Sequence, residues 1–289
     1  MMRHRTVAGG IPRRAFAAAD EFSILADDLP ATRDAGAADA EIDAMVDSAH
    51  RRMARALRRF RRPAVRAGIT DSPLGRLLVA EGPRGLLAVA YLDTPGAAPA
   101  FDALRAGYDV TVDLAVAVRV RKEIDRLLAG DSAPIDAHPV DLSLVAGDFQ
   151  RRALAHLRRV PPGAVVTYQG LAEAIGAPSG QRAIGNSMAS NPLPVYVPCH
   201  RVIRSDGAIG NYGGGVERKL SLLRAEGFAI GSDQRLPPQA VWGHRRSHIF
   251  CRPGCAAVRR ATRPRWMIFA DAEHACGAGM RPCKLCGPG

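Results

Sequence analysis

Residues 191–207 read NPLPVYVPCHRVIRSDG, and the centre of this stretch places a thiol, an imidazole and a guanidinium on the consecutive residues Cys199, His200 and Arg201. A thiol must lose its proton before it can attack carbon, and its free pKa lies near ~8.5. Cationic neighbours lower that pKa, so His200 and Arg201 are candidate activators of a nucleophilic Cys199. Adjacent side chains need not point the same way, and a Cys-His pair alone is more often structural than catalytic.

Helices are predicted on both sides of this stretch. Residues 148–159 have the pattern of a helix, with Asp148 as its N-cap. Two shorter helices are predicted over residues 168–175 and 180–190, separated by a turn that contains Gly and Pro. This outline is typical of a helix-turn-helix, although many helical hairpins share it. Residues 217–226 are predicted to form a further helix.

Residues 65–145 are predicted to form a small α/β domain. Short apolar runs bounded by turn residues indicate a meander of three strands, and a further short strand is expected at residues 140–142. Residues 115–129 have a helical pattern. The meander strands are expected at residues 67–70, 77–80 and 86–91.

Residues 1–62 are predicted to be a poorly defined extension that contains one basic helix. Residues 1–38 are rich in Ala, Asp and Arg without a clear period. From Ile42 to Phe60 the apolar residues recur at helical spacing, with arginines mostly on the opposite face. A surface helix with a solvated basic side explains this pattern better than a DNA contact does.

The composition favours an anionic partner. The chain has 289 residues, 47% of them hydrophobic, and 40 Lys and Arg residues against 28 Asp and Glu residues give a net charge of +12. Such a charge favours nucleic acid. No apolar run approaches the ~18 residues that span a bilayer, so no membrane partner is expected. We found no secretory signal, and the cysteine usage fits a reducing compartment, so the predicted location is the cytoplasm.

The last residues of the chain have the spacing of a metal site. Residues 231–243 are predicted to be a linker, and residues 244–289 to be a small zinc-binding module. Two close cysteine pairs separated by a loop fit a tetrahedral zinc site; free thiols are the alternative. The predicted ligands are Cys251, Cys255, Cys283 and Cys286. Cys276 lies outside the quartet and is predicted to be a small core residue.

The Cys-His stretch and several flanking motifs resemble the methylated-DNA–protein-cysteine methyltransferases, which repair O6-alkylguanine. The resemblance covers about residues 65–230. It rests on Asn191–Val202, Thr167–Gln169, Arg182–Gly185, Gly210–Tyr212 and Arg224–Gly227. It implies an α/β amino-terminal domain over residues 65–145, followed over 148–230 by a helical winged-helix or helix-turn-helix domain that carries the active site and binds DNA.

The resemblance also implies the roles of the catalytic residues. Cys199 is expected to accept the alkyl group, and His200 to take the thiol proton through a water while Glu226 orients the imidazole. Asn191 is expected to brace the turn that presents the cysteine. Tyr168 is expected to donate a hydrogen bond to the guanine ring as the leaving group gains charge.

A second set of matching residues is expected to bind DNA. Arg182, on the second helix of the helix-turn-helix, is expected to enter the duplex and fill the gap left by an extruded base. Lys219 matches a lysine in the helix after the glycine loop. The residues expected to line the base pocket are Tyr212, Gly214, Met188 and Pro194. Gly213 departs from the family, which frequently has a serine there that bonds the guanine oxygen; a backbone N–H is an alternative donor.

The cysteine-rich tail resembles the metal-binding domain of Ada-type proteins, here placed after the repair domain. In those proteins the cysteine that matches Cys251 also accepts methyl groups from phosphotriesters. Residues 241–248 lack the Asp-Gly and Thr-Thr-Gly features of that domain. We therefore expect the zinc to be structural, although nine Lys and Arg residues against two acids in residues 245–289 leave room for a DNA contact.

The function expected from these resemblances is irreversible, single-turnover transfer of the alkyl group from O6-alkylguanine in double-stranded DNA to Cys199, without an organic cofactor. One alternative is a non-catalytic protein that binds alkylation damage; such proteins replace the acceptor cysteine. Another is an Ada-like regulator that responds to methylation, which needs a second DNA-reading domain. The sequence leaves open the preferred alkyl size, the reactivity of Cys251, the role of residues 1–60 and the oligomeric state.

Overall fold

The computed structural model describes residues 44–53, 62–260 and 266–288, and the chain divides into two units, Met1–Arg61 and Arg62–Gly289. In the first unit, residues 44–53 form helix α1. This segment lies within the predicted basic helix. The rest of that prediction, residues 42–43 and 54–60, and the expectation for residues 1–38 lie outside the described residues.

The second unit begins with a four-stranded sheet. Its strands are β1 (Ala64–Ser72), β2 (Gly75–Gly82), β3 (Gly85–Tyr91) and β4 (Asp109–Val112), in the spatial order β3-β2-β1-β4. The first three strands form the predicted antiparallel meander, whereas β4 runs parallel to β1. The turn before β3 requires a glycine, because Gly85 has φ +121° and an added Cβ there would lie 2.3 Å from the Pro139 oxygen.

Three helices accompany this sheet. They are α2 (Ala97–Gly107), α3 (Leu114–Leu128) and α4 (Ala133–Ala137). Helix α3 confirms the helix predicted at residues 115–129; Asp113 caps it by accepting from the Ala115 N–H at 2.9 Å. Its buried face, Val116, Val120, Ile124 and Leu127, has helical spacing. The strand expected at residues 140–142 is wrong: Val140 forms only an isolated bridge to Leu86.

The second part of this unit is mainly helical. Its elements are α5 (Asp148–Leu157), β5 (Ala164–Thr167), α6 (Tyr168–Ala174), α7 (Gln181–Ala189), a 3₁₀ turn (Cys199–Arg201), β6 (Val202–Ile203) and α8 (Val216–Ala225). Helices α6 and α7 confirm the predicted helix pair to within one residue. Asp148 was predicted to be the N-cap of α5, and this prediction is wrong. Gly147 is the N-cap and forms no side-chain capping hydrogen bond. Asp148 instead occupies the first helical position and pairs with Arg152 at 3.1 Å.

The last elements extend a second sheet. They are β7 (Val241–His244), β8 (Ile249–Cys251), α9 (Ala256–Arg260), β9 (Trp266–Phe269), α10 (Ala272–Gly277) and β10 (Arg281–Pro282). The six-stranded order β10-β8-β7-β9-β5-β6 joins them to the helical part, because β9 pairs antiparallel with β5. The end of the predicted linker, Val241–Gly243, therefore lies within β7.

The architecture confirms the predicted fold class. An α/β amino-terminal sheet is followed by a helical part with the helix pair α6–α7 and by a small cysteine-rich region. One apolar core runs through all three parts and includes Leu77 of the first sheet, Cys199, and Phe269 of β9. Among the described residues, no helix is both long and apolar enough to cross a membrane.

Candidate active site and metal centre

A tight turn before the 3₁₀ element presents Cys199. Asn191 ties this turn together: its amide nitrogen donates to the Val197 oxygen at 2.8 Å and to the Cys199 sulfur at 3.1 Å, and its amide oxygen accepts from the Leu193 N–H at 3.0 Å. Val195 sits at φ +75°, which is a strained backbone conformation for a β-branched residue. One side chain thus fixes both the shape of the turn and the position of the thiol.

Burial and hydrogen bonds act in opposite directions on Cys199. The residue is 4% exposed, and this burial raises the pKa of its thiol. A hydrogen bond from Asn191, the charge of Lys219 and a hydrogen bond from Tyr212 oppose the burial and lower the pKa, without cancelling its effect. The groups that favour the thiolate therefore come from three separate segments of the chain.

His200 and Arg201, the expected activators, both bind Glu226. The His200 Nε2–H donates to Glu226 Oε1 at 2.9 Å, and the Arg201 guanidinium donates to the same carboxylate at 2.7 to 3.0 Å. Arg201 also donates to the Val160 oxygen at 2.6 Å. The expectation that Arg201 lowers the pKa of Cys199 is corrected accordingly, since its guanidinium is occupied by these acceptors.

The triad of His200, Arg201 and Glu226 is buried and electrostatically coupled. Burial alone would raise the pKa of Glu226, but Arg201 and His200 together lower it to about 2. Burial also lowers the pKa of His200, so its ring is neutral near pH 7. The Nδ1 atom of His200 makes no hydrogen bond to any residue that the structure describes. Glu226 thus fixes the tautomer that leaves Nδ1 as a free base.

Lys219 lies beneath the acceptor segment, away from the protein surface. It is fully buried, and its ammonium group donates to the Val202 oxygen at 2.6 Å and to the Asn211 oxygen at 3.4 Å. Burial lowers the pKa of Lys219 to about 8, against the opposing effect of Cys199. The structure places this residue where it acts on the thiol, and a buried ammonium group cannot contact a phosphate.

The Cys199 thiol opens onto a cavity of about 90 Å³. The predicted site residues that line it are Asn191, Cys199, Met188, Pro194, Tyr212 and Gly214. Tyr168 begins α6; it is half-buried, and burial followed by the nearby Cys199 raises the pKa of its hydroxyl. Arg182 is exposed on α7, as a residue that contacts DNA must be.

The first sheet contributes lining residues that the sequence did not reveal. Val89, Ala90 and Tyr91 of β3 face this cavity, followed by Thr94. The Tyr91 and Tyr212 hydroxyl oxygens lie 3.3 Å apart. Strand β3 is buried along its whole length, so its pattern indicated only a core strand. The only feature of this sequence that distinguished it from a core strand was Tyr91, a tyrosine at the end of an otherwise aliphatic run.

The four predicted metal ligands come together at one point. The sulfurs of Cys251, Cys255, Cys283 and Cys286 all lie within 4.8 Å of one another. Tetrahedral zinc with Zn–S bonds of about 2.3 Å requires sulfurs about 3.8 Å apart, so the cluster fits this ion. Backbone N–H groups support the sulfurs as well, with the Leu285 N–H donating to Cys283 at 3.4 Å. Cys276 is exposed, so its predicted core position is wrong.

Two family profiles match adjacent parts of the chain. A profile described as "6-O-methylguanine DNA methyltransferase, DNA binding domain" matches residues 148–228, and one described as "Metal binding domain of Ada" matches residues 229–289. These matches agree with the two resemblances drawn from the sequence. They also support zinc as the ion that suits the four-cysteine cluster.

Curated proteins and solved structures give similar matches. The chain is 38% identical over 175 residues to a methylated-DNA–protein-cysteine methyltransferase of Rattus norvegicus, covering 56% of this chain and 82% of that protein. It is 39% identical over 165 residues to the bifunctional transcriptional activator/DNA repair enzyme Ada of Escherichia coli, covering 56% of this chain but only 46% of that protein. A solved O6-methylguanine methyltransferase of Mycobacterium tuberculosis shares 30% identity at a TM-score of 0.46, over 60% of this chain and 95% of that one.

Proposed function

Because the chain belongs to the methylated-DNA–protein-cysteine methyltransferase family, we propose that it repairs O6-alkylguanine in duplex DNA by moving the alkyl group to Cys199. The observation that carries this proposal is the position of the thiol. Cys199 lines a cavity, accepts a hydrogen bond from Asn191, and adjoins a histidine that is oriented by a buried carboxylate.

The proposed transfer begins with removal of the thiol proton. The free Nδ1 of His200 accepts this proton through one bridging water, while Glu226 holds the Nε2–H. The thiolate then attacks the alkyl carbon, so that an S–C bond forms as the bond between carbon and guanine O6 breaks. The electron pair of the broken bond passes to the guanine, and a hydrogen bond from the Tyr168 hydroxyl stabilises this developing charge.

The product of this step is a thioether on the protein. Water does not cleave a thioether at neutral pH, and the four cysteines of the metal cluster lie in a different apolar cluster from Cys199. No second step therefore restores the thiol. Each chain repairs one lesion, and repair consumes the protein.

Access to the base requires that the nucleotide leave the stack. The alkyl carbon is enclosed in duplex DNA, and extrusion costs a few kcal/mol. The exposed Arg182 on α7 is positioned to enter the duplex, and the net charge of +12 favours phosphate contacts. Met188 and Pro194 provide apolar walls for the extruded base, and Tyr212 and Gly214 complete the pocket.

The cysteine cluster is proposed to hold zinc in a structural role. Bound zinc supplies four metal–thiolate bonds that cross-link β8 to the turn after β10. Cys251 is only 1% exposed, and its sulfur is one of the four that meet at the metal site. We therefore assign Cys251 as a ligand and not as a second methyl acceptor.

The test follows a methyl group from DNA to protein. The purified protein is incubated with a duplex that carries one O6-methylguanine with a labelled methyl group, and intact mass and peptide mapping locate the label. We expect one methyl group per chain, on the peptide that contains Cys199. Cys199→Ala should carry no label and retain duplex binding, whereas the matched control Cys276→Ala should be labelled like the unmodified chain. Clearance of the lesion by Cys199→Ala contradicts the proposal.

A further inference from the structure

The wall of the acceptor cavity is built from two parts of the chain. One side comes from the segment that carries Cys199 and from the glycine loop, and the other from β3 and the turn that follows it. The two sides are joined by a backbone hydrogen bond from the Val89 N–H to the Pro192 oxygen, 2.8 Å long. The first sheet is therefore part of the site and not only a scaffold beside it.

Tyr91 is the largest side chain that the first sheet contributes to this wall. It is 3% exposed, and its ring meets the Tyr212 ring edge-on, with centroids 6.4 Å apart and planes at 71°. The hydroxyl groups of the two tyrosines lie 3.3 Å apart. The Tyr212 hydroxyl in turn contributes a hydrogen bond to the Cys199 thiol. Tyr212 therefore links Tyr91 to the reacting sulfur.

Arg218 holds the Tyr91 ring in place. Its guanidinium lies over the ring, 4.5 Å from the centroid. The same guanidinium donates to the Leu74 oxygen, to the Gly214 oxygen at 2.6 Å and to the Asp93 carboxylate at 2.6 Å. One side chain therefore ties β3, the turn before β2 and the glycine loop together, and the ring has little freedom to rotate.

The packing around Gly214 leaves no free space between the glycine loop and the rings of Tyr91 and Tyr212. A Cβ added to Gly214 would lie 2.6 Å from the Tyr91 ring and 2.7 Å from the Tyr212 ring. The two rings and the loop backbone are thus already in contact. A group larger than the cavity cannot be accommodated by moving the loop toward Tyr91.

The cavity is open to solvent on one side, so its volume of about 90 Å³ does not by itself limit the size of the bound group. The limit lies in the direction of the wall. A group on O6 that points toward the Tyr91 ring meets a side chain that is held in place and cannot move away. A methyl group needs little room in that direction, whereas an aromatic group needs more.

We propose that Tyr91 is a specificity-determining residue, whose clamped ring restricts the groups passed to Cys199 to small alkyl groups such as methyl. This inference rests on the proposed function and adds the substrate range of that site. The effective feature is the volume of the ring. The hydroxyl of Tyr91 is not needed for this discrimination.

The test compares two substrates across two substitutions. Single-turnover rates are measured on duplexes with O6-methylguanine or O6-benzylguanine, for the unmodified chain, Tyr91→Leu and the control Tyr91→Phe, which keeps the ring. We expect the unmodified chain to prefer methyl by about tenfold or more, and Tyr91→Leu to raise the benzyl-to-methyl rate ratio by about tenfold or more. Tyr91→Phe should leave the ratio unchanged.

Several outcomes overturn the inference. Equal rates on both duplexes with the unmodified chain contradict it. An unchanged benzyl-to-methyl rate ratio in Tyr91→Leu contradicts it as well. A shifted ratio in Tyr91→Phe also overturns it, because the effect would then belong to the hydroxyl group. If Tyr91→Leu does not fold, Arg218→Gln releases the ring without removing it; a smaller shift toward benzyl supports the inference, and no shift refutes it. Failure of the unmodified chain to label Cys199 with either group refutes the proposed function itself, and this inference falls with it.

Discussion

The two thiol sites of this chain favour the thiolate in different ways. Cys199 is a single thiol inside the main apolar core, and two hydrogen bonds from side chains and one buried ammonium group act against the effect of its burial. The four-cysteine cluster brings like groups within 4.8 Å of one another, and these thiolates repel unless a cation lies between them. A lone nucleophile can be prepared by the protein alone, whereas clustered thiolates need a metal.

The strongest test of whether the two thiol sites are independent is to remove one thiol from each site. Cys199→Ala should abolish alkyl transfer and leave the zinc content at one ion per chain, because the metal cluster does not include Cys199. Cys251→Ala should do the reverse, losing zinc while retaining transfer. Both quantities can be followed by labelled-methyl transfer and elemental analysis. A loss of transfer in Cys251→Ala would show that the sites depend on each other.

A second test concerns the buried ion pairs behind Cys199. Glu226→Gln leaves the 2%-exposed Arg201 without its anion, and we expect it to destabilise the fold by about 3–5 kcal/mol in urea unfolding. The matched control is Asp125→Asn, which breaks the exposed pair of Asp125 with Arg121 and should cost below about 1 kcal/mol. Similar losses in both variants would contradict the role assigned to Glu226.

The same carboxylate predicts how stability depends on pH. The pKa of Glu226 is about 2 in the folded chain, below its usual value of 4.5, so its contribution to stability is fully present above pH 4.5. That contribution is lost as the pH falls from 4.5 toward 2. Unfolding free energies measured across this range should fall more steeply for the unmodified chain than for Glu226→Gln.

Removal of the metal tests whether alkyl transfer at Cys199 depends on the structure of the metal site. After chelation we expect residues 241–260 and 266–286 to exchange amide hydrogens faster, because the cysteines of the cluster lie in or beside the paired strands β8 and β10. Transfer should slow by less than about tenfold, since no group within hydrogen-bonding distance of Cys199 belongs to the cluster. Hydrogen exchange with mass spectrometry reports the first effect and single-turnover kinetics the second. Unchanged exchange in this region would refute a structural role for the metal.

The smallest expected effect is a shift in the pH dependence of transfer. The rate should rise with pH as Cys199 loses its proton, and the charge of Lys219, which lowers the pKa of the thiol, moves this rise to lower pH. The pKa of Lys219 is about 8, so this assistance weakens above that pH. Lys219→Met should lower the rate near pH 7 and move the rise to higher pH. Single-turnover rates between pH 6 and 10 measure this shift, and an unchanged profile in Lys219→Met would contradict the role assigned to Lys219.

The features predicted from the sequence were those with a local pattern. Helix α3 and the helix pair α6–α7 were predicted from periodicity and turn residues, because their own residues determine them. Strand β4 was missed because it is only four residues long, and its residues are all exposed, so they belong to no apolar run. Helix α2 was also missed. It contains Pro99 near its start and follows Pro95 and Gly96, residue types that are more typical of turns than of helices.

The parts of the site that were not predicted depend on tertiary contacts. The Cys-His motif located the thiol, yet the two groups expected to lower its pKa, His200 and Arg201, both bind Glu226. Lys219 was predicted to lie among the DNA-binding residues, whereas the fold buries it where its charge lowers the pKa of the Cys199 thiol. Tyr91 lies 108 positions from Cys199 in the chain, and the position of β3 against Pro192 brings the two together. Such contacts leave no periodic signal in a single sequence.

The pairing of β5 with β9 limits how the chain can be shortened. Strand β5 leads directly into α6 through Thr167, and its outer edge is covered by β9 at Ala164 and Val165. A truncation before residue 266 would expose the unpaired N–H and C=O groups of that edge, which invite association with other strands. A minimal repair fragment would therefore need a substitute strand or a charged residue to protect this edge of β5.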